Sequence, residues 1–324
     1  MTTSASHEAP AMTMTHSAPD AVAFDRVTRR FGATTALDAV DLRIEAGETV
    51  ALLGPNGAGK STAISIMLGL RPPSAGSART MGLEPRDAVL SGRVGAMLQA
   101  ATLPVGATVG ELVDLARSLY PNPTPRAAVL ERAGLTALAG RRVETLSGGE
   151  AQRVRFALAI AGDPDLVFLD EPTVAMDVES RRAFWVDMRA AAAQGRTILF
   201  ATHFLDEADS VADRIVVLAH GRVVADASPA ALKARVAERR IRFDSAPTAG
   251  GDGRLARMPG VRSVERHGPM VELATSDADA TVRALVAADI DFRALEVTGA
   301  DLDTAFLALT GGVPDADAAE AAAA

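Results

Sequence analysis

A chain of 324 residues has room for one large domain with a small companion, and its 48% apolar and 4% aromatic content is that of a globular protein. The absence of cysteine excludes disulfides, thiolate metal sites and cysteine nucleophiles, while a formal net charge of -8 argues against a nucleic-acid partner held by backbone charge. Lys60 and Lys233 are the only lysines, so a lysine at position 60 stands out.

Residues 1–20 are rich in Thr, Ser, Ala and Pro, with neither a basic start nor an apolar core. They predict a disordered tail and no secretory signal. No apolar run approaches the ~18 residues that cross a bilayer, so no membrane span is expected. Val22, Phe24 and Val27, then Val40, Leu42 and Ile44, alternate with polar residues between Gly32 and Gly47, which predicts short antiparallel strands. Residues 49–53 form an apolar strand pattern that runs straight into Gly54-Pro55-Asn56-Gly57-Ala58-Gly59-Lys60-Ser61. A helix is expected over 62–70, with Ile64, Met67 and Leu68 on one face and Pro72-Pro73 as its stop.

A strand over 94–98 places Gln99 at its end, and Thr108-Val109-Gly110-Glu111 has the spacing of a capping box. Residues from about 100 to 160 are helical in pattern and interrupt the alternation of strand and helix, as an inserted helical subdomain would. Strands at 166–170, 197–201 and 215–218 then alternate with helices at 180–193 and near Asp206. The fold class is α/β: a mainly parallel sheet covered on both faces, with an antiparallel β subdomain and the helical insertion, spanning 21–230. Past Ser228-Pro229 the pattern changes to strand 241–243, a short helix at 254–258, a hairpin turning at Gly268-Pro269, helix 279–288 and strand 292–297. That βαββαβ order predicts a small ferredoxin-like α+β domain over 238–311, closed by a helix at 301–309 and followed by a low-complexity tail at 312–324.

Three stretches carry chemistry. Gly54 to Ser61 lies between strand and helix, the context in which backbone N–H groups and a helix N-terminus cradle phosphates. Lys60 would reach the β- and γ-phosphates, and the Ser61 hydroxyl would coordinate Mg²⁺. Leu166 to Leu169 is an apolar strand that ends in Asp170-Glu171. Adjacent acids there serve equally as a helix cap before Pro172 or as a metal-holding and water-activating pair, and the phosphate loop tips the reading to catalysis. Gln99 and His203 sit at strand ends, where ligands bind in such sheets, yet each alone reads as readily as an ordinary strand-end polar residue. Leu146-Ser147-Gly148-Gly149-Glu150 is a second glycine loop opening its own helix, and it reads as half of a site that another subunit completes.

Together these residues resemble the ATP-binding cassette (ABC) family of transport ATPases across roughly residues 22–230. The resemblance implies ATP and Mg²⁺ as cofactors. It assigns Gly54 to Thr62 to the phosphate-binding loop, Ser61, Asp170 and Gln99 to the metal, and the catalytic roles to Glu171 as the carboxylate, His203 as the switch histidine and Gln99 as the Q-loop glutamine. It further implies that Phe31, shortly before Ala36-Leu37, stacks on adenine. Ser147, Gly148, Gly149 and the D-loop acid Asp177 would complete the site across a homodimer, or a heterodimer with a sister ATPase. A separate transmembrane permease would supply the pathway, docking near residues 99–111 at the cytoplasmic face of the membrane, with no nucleic acid expected. Residues 302–311 are similar to the end of daunorubicin-resistance-type drug-exporter ATPases. Export of drugs, antibiotics or lipids is the leading reading; a ligand-sensing importer and a soluble non-transport ABC ATPase are the alternatives. Two positions depart from the family: Glu150 where Gln is commonest, and Val174-Ala175-Met176 where Ser-Ala-Leu is usual. A carboxylate beside a polyphosphate must point away or be paired, and Arg153 and Arg155 lie within reach along the helix.

Overall fold

The computed structural model describes residues 20–98, 102–234, 239–246, 252–299 and 302–311; the two expected tails and Gln99 lie outside the described residues, apart from Asp20. The chain opens with β1 (Asp20–Phe31), β2 (Thr34–Glu45), β3 (Thr49–Leu53), α1 (Lys60–Met67), β4 (Ala75–Thr80), α2 (Pro85–Leu90) and β5 (Val94–Met97). β1 lies between β2 and β4 in an antiparallel sheet. Gly76 of β4 has φ +80°, and a Cβ there would meet the Arg26 carbonyl oxygen at 2.3 Å, so the two strands approach at a glycine. Next come α3 (Val109–Ser118), α4 (Arg126–Arg132), α5 (Gly148–Ala159), β6 (Leu166–Asp170), α6 (Val178–Ala192), β7 (Thr197–Ala201), α7 (Leu205–Val211), β8 (Arg214–Ala219), β9 (Arg222–Ala227) and α8 (Pro229–Ala234).

The central sheet runs β5-β6-β7-β3-β8-β9, parallel throughout except for the edge strand β9. Every residue of β3, β6 and β7 is buried. Alternate residues serve opposite faces: Ala51, Leu53, Val167, Leu169, Ile198 and Phe200 join one apolar cluster, and Val50, Leu52, Leu166, Phe168, Leu199 and Ala201 join the other. A strand covered on both sides has no polar alternation to show, which is why these segments read as unbroken apolar runs. α3 starts at the expected capping box, with Thr108 Oγ1 accepting from the Glu111 amide and the Glu111 carboxylate accepting from the Thr108 amide.

The remaining elements are β10 (Arg239–Asp244), α9 (Asp252–Leu255), β11 (Val261–His267), β12 (Met270–Thr275), α10 (Ala278–Ala287), β13 (Arg293–Gly299) and α11 (Leu302–Thr310). Their four strands form a separate antiparallel sheet in the order β11-β12-β10-β13, the ferredoxin-like arrangement. The first helix starts two residues earlier than the sequence pattern places it. The regular helix stops at Leu255, and both Leu255 and Met258 turn into the small core with Ile241, Phe243 and Leu273.

α11 leaves this small sheet and packs on α7, α8 and β9. Leu302 and Phe306 join the same apolar cluster as Ala208, Val211, Ala225 and Leu232. On its other side, Thr304 Oγ1 accepts a hydrogen bond of 2.9 Å from Arg240 of β10. Phe306 is 7% exposed whereas the adjacent Leu307 is 41% exposed. Phe306→Ala is therefore expected to lower the unfolding free energy by about 3 kcal/mol. Leu307→Ala should change it by no more than about 0.5 kcal/mol. Equal shifts of the two denaturation midpoints would count against the packing described. Among the described residues, no helix is long and apolar enough to cross a membrane.

Candidate active site

Because β3, β6 and β7 are parallel neighbours, their carboxyl ends share one edge of the sheet. β3 delivers the loop from Gly54 to Ser61 there. Gly54 has φ +155° and a Cβ would lie 2.2 Å from the Leu218 carbonyl oxygen, so no other residue fits between β3 and β8. Gly59, at φ +106°, is the N-cap of α1, and its Cβ would meet the Ala36 carbonyl oxygen at 2.5 Å. The Lys60 ammonium folds back over the loop, donating to the Gly54 carbonyl and, at 3.3 Å, to that of Pro55.

β6 delivers Asp170 and Glu171, both buried. Glu171 has φ +51°, in the left-handed region that costs a non-glycine residue of order 1 kcal/mol. Two hydrogen bonds fix it there: its amide donates to the Ala201 carbonyl at 2.9 Å, and its own carbonyl accepts from Gln152 Nε2 at 3.0 Å. β7 delivers His203, whose Nδ1 lies 2.8 Å from Glu171 Oε2. A carboxylate held against an imidazole at a sheet edge can accept a proton from a water, and the imidazole fixes its orientation.

These residues enclose one cavity of about 470 Å³, within the range of small-molecule sites. Phe31, Ala36, the 56–62 segment, Asp170, Glu171, Val174 and His203 line it. Phe31 stands at its mouth, 41% exposed, with Arg29 and Arg71 4.8 and 5.4 Å from its ring centroid. Ser147, Gly148, Gly149 and Asp177 do not line this cavity.

Ser147 instead caps α5. Its hydroxyl accepts from the Glu150 amide at 3.3 Å, and the Glu150 carboxylate accepts from the Ser147 amide at 2.8 Å. Glu150 is thus the acid of a capping box, and its charge is met 2.9 Å away by Arg141. The Ser147 amide, and then Arg141, hold its carboxyl below the usual glutamate value. Of the two alternatives, the carboxylate is paired, and with Arg141 rather than Arg153 or Arg155. Arg153 donates to Ser180 Oγ at 2.8 Å, and Arg155 to Gln152 Oε1 at 2.5 Å.

Asp177 caps α6 with both oxygens on Ser180, 2.8 Å to the amide and 2.7 Å to the hydroxyl. The Ser180 amide, then its hydroxyl, keep the Asp177 carboxyl below the usual aspartate value. Through Ser180, Arg153 ties α5 to this cap. The unusual Val174-Ala175-Met176 packs against the second glycine loop of the same chain. A Cβ on Gly148 would stand 3.0 Å from that of Ala175, and one on Gly149 3.3 Å from the Ala175 oxygen.

Sequence reasoning missed Gln152, Thr173 and Glu207. Their buried polar contacts join residues 19 to 34 positions apart, and no periodicity reports such pairs.

The ABC transporter family model matches residues 37–174. The chain is 39% identical over 220 residues to Nod factor export ATP-binding protein I of Paraburkholderia xenovorans, an overlap of 65% of this chain and 72% of that protein. It is 38% identical over 220 residues to daunorubicin/doxorubicin resistance ATP-binding protein DrrA of Streptomyces peucetius, covering 66% of this chain and 67% of that one. A dimeric ATP-binding cassette solved in a post-hydrolysis state with ADP and Pi superimposes with a TM-score of 0.59 at 27% identity, over 64% of this chain and 98% of that one. On this likeness, this chain belongs to the ABC transporter family, as an ATP-binding and ATP-hydrolysing subunit.

Proposed function

We propose that two copies of the chain, or one copy and a sister ATPase, close around ATP and drive a separate membrane permease that exports drugs, antibiotics or lipids. The observation that carries the shared site is the cavity itself. It holds a phosphate loop and a proton acceptor, while Ser147, Gly148 and Gly149, with their own helix N-terminus, lie outside it. In the closed pair, the Ser147 hydroxyl and the two glycine amides of one copy meet the γ-phosphate bound by the other, and Asp177 faces the junction.

ATP binds with its triphosphate along Gly54 to Thr62 and its adenine on Phe31 at the mouth of the cavity. Lys60 exchanges loop carbonyls for phosphate oxygens. The Ser61 hydroxyl and Asp170 carboxylate line the same cavity and are hard oxygen donors suited to Mg²⁺, so these two would hold it. When bound, the ion offsets phosphate charge. Glu171 takes a proton from the water that attacks the γ-phosphorus, the bond to the β-phosphate oxygen breaks, and ADP and phosphate form. His203 holds the Glu171 carboxylate through Nδ1. Loss of the bridging phosphate then lets the pair open.

Support for export comes from the relatives named for Nod factor export and for daunorubicin/doxorubicin resistance. In this reading the pathway belongs to another chain, and this one sits at the cytoplasmic face. Affinity purification of the tagged chain from detergent-solubilised native membranes tests this. A multi-span membrane protein is expected to come with it. Recovery solely with ribosomes or DNA would overturn the transport reading.

A further inference from the structure

Glu207, on α7, is 3% exposed and lies outside the nucleotide cavity. Its two carboxylate oxygens go to two different loops. Oε1 accepts from Thr173 Oγ1 at 2.6 Å, and Oε2 accepts from Thr202 Oγ1 at 3.2 Å. Thr173 is two residues past Glu171, and Thr202 immediately precedes His203. Arg181 of α6 adds its guanidinium 3.5 Å from Oε1 and lies 4.3 Å from the Phe204 ring centroid. The Phe204 ring in turn packs 4.0 Å from that of His203.

We propose that Glu207 is a positioning residue for ATP hydrolysis: it fastens the loop carrying Glu171 to the loop carrying His203 and so keeps those side chains in contact. The inference rests on the assignment of Glu171 and His203 to catalysis. Burial pushes the Glu207 carboxyl up, and the Thr173 hydroxyl, the Trp185 side chain, the Thr202 hydroxyl and Arg181 act against that rise. An apolar side chain of similar size would fill the same space without the desolvation cost. What the carboxylate adds is two acceptors at a fixed separation, spanning β6 and β7. None of its partners belongs to the phosphate loop, so nucleotide affinity does not depend on it.

The test compares Glu207→Ala, Glu207→Gln, Thr173→Val and Thr202→Val, with Glu171→Gln and His203→Ala as controls, measuring kcat, KM and equilibrium ATP binding on the full chain. Glu207→Ala is expected to lower kcat about tenfold or more, with ATP affinity changed by less than about twofold. Glu207→Gln should retain most of kcat, because its amide oxygen accepts from one threonine and its NH₂ donates to the other. Each valine variant should lose several-fold in kcat, and neither should add a further loss in the Glu207→Ala background.

A folded Glu207→Ala with wild-type kcat overturns the proposal. So do a kcat loss matched by lost ATP binding, and losses that simply add. Should Glu207→Ala not fold, the two valine variants decide, and wild-type kcat in both overturns it. Hydrolysis surviving Glu171→Gln sinks the catalytic assignment itself, whereas a dead Glu171→Gln beside an active Glu207→Ala sinks only the positioning role.

Discussion

Glu171→Gln is expected to cut steady-state ATP turnover by about a thousandfold while ATP still binds, since a positioned general base contributes about 10²–10⁴-fold. Glutamine keeps the shape of the side chain and an oxygen for His203 Nδ1, but it cannot take a proton from the attacking water. The backbone at φ +51° stays pinned by Ala201 and Gln152, so the phosphate loop and Asp170 are undisturbed. With hydrolysis blocked, the bridging γ-phosphate persists. Size-exclusion chromatography in ATP and Mg²⁺ should therefore show an accumulated dimer where the parent chain elutes smaller. Undiminished phosphate release from this variant would remove Glu171 from the role of base.

Ser147→Arg should abolish turnover and leave the single chain's ATP affinity within about twofold of the parent, because Ser147 does not line the cavity that holds the nucleotide. Lys60→Ala should instead lose both, since Lys60 lies within the phosphate loop. The informative experiment mixes the two inactive proteins. A pair made of one of each has one composite site with an intact loop from the Ser147→Arg chain and an intact second loop from the Lys60→Ala chain. Partial activity should reappear on mixing. If it does not, or if Ser147→Arg loses affinity as severely as Lys60→Ala, the site is not shared between copies.

Much of this was legible in the residues. β3, β6 and β7 are buried on both faces, so their apolar runs announced a parallel sheet, and their order along the chain placed Gly54, Asp170 and His203 at strand ends. The capping boxes at Thr108 and Ser147 are local, and the second coincides with a glycine loop that masks its capping pattern. Arg153 and Arg155 lie within reach of Glu150 along the helix, yet Arg141 is its partner. The cap draws its carboxylate back over the helix N-terminus, toward Arg141 in the preceding turn rather than forward to Arg153 or Arg155. β4 and β9 escaped notice for a different reason. Ala75–Thr80 offers small side chains with little strand character, and β9 is an edge strand of mixed exposure whose position is set by pairing with β8. Glu207 could not be found from spacing, since its meaning depends on Thr173 and Thr202 arriving from separate strands.

The return of α11 to α7, α8 and β9 makes the ferredoxin-like unit a closed excursion rather than an appendage. Chain enters it from α8 and leaves it into α11, and both anchors are stitched into the ATPase core. Pruning from the carboxyl end is consequently the harsher operation: it strips Leu302 and Phe306 from the core and bares Leu232 and Ala225 to water. Excising residues 239–299 and rejoining the anchors with a flexible linker would keep that roof in place. Shortened versions of this ATPase are thus better made by cutting out the middle than by stopping early.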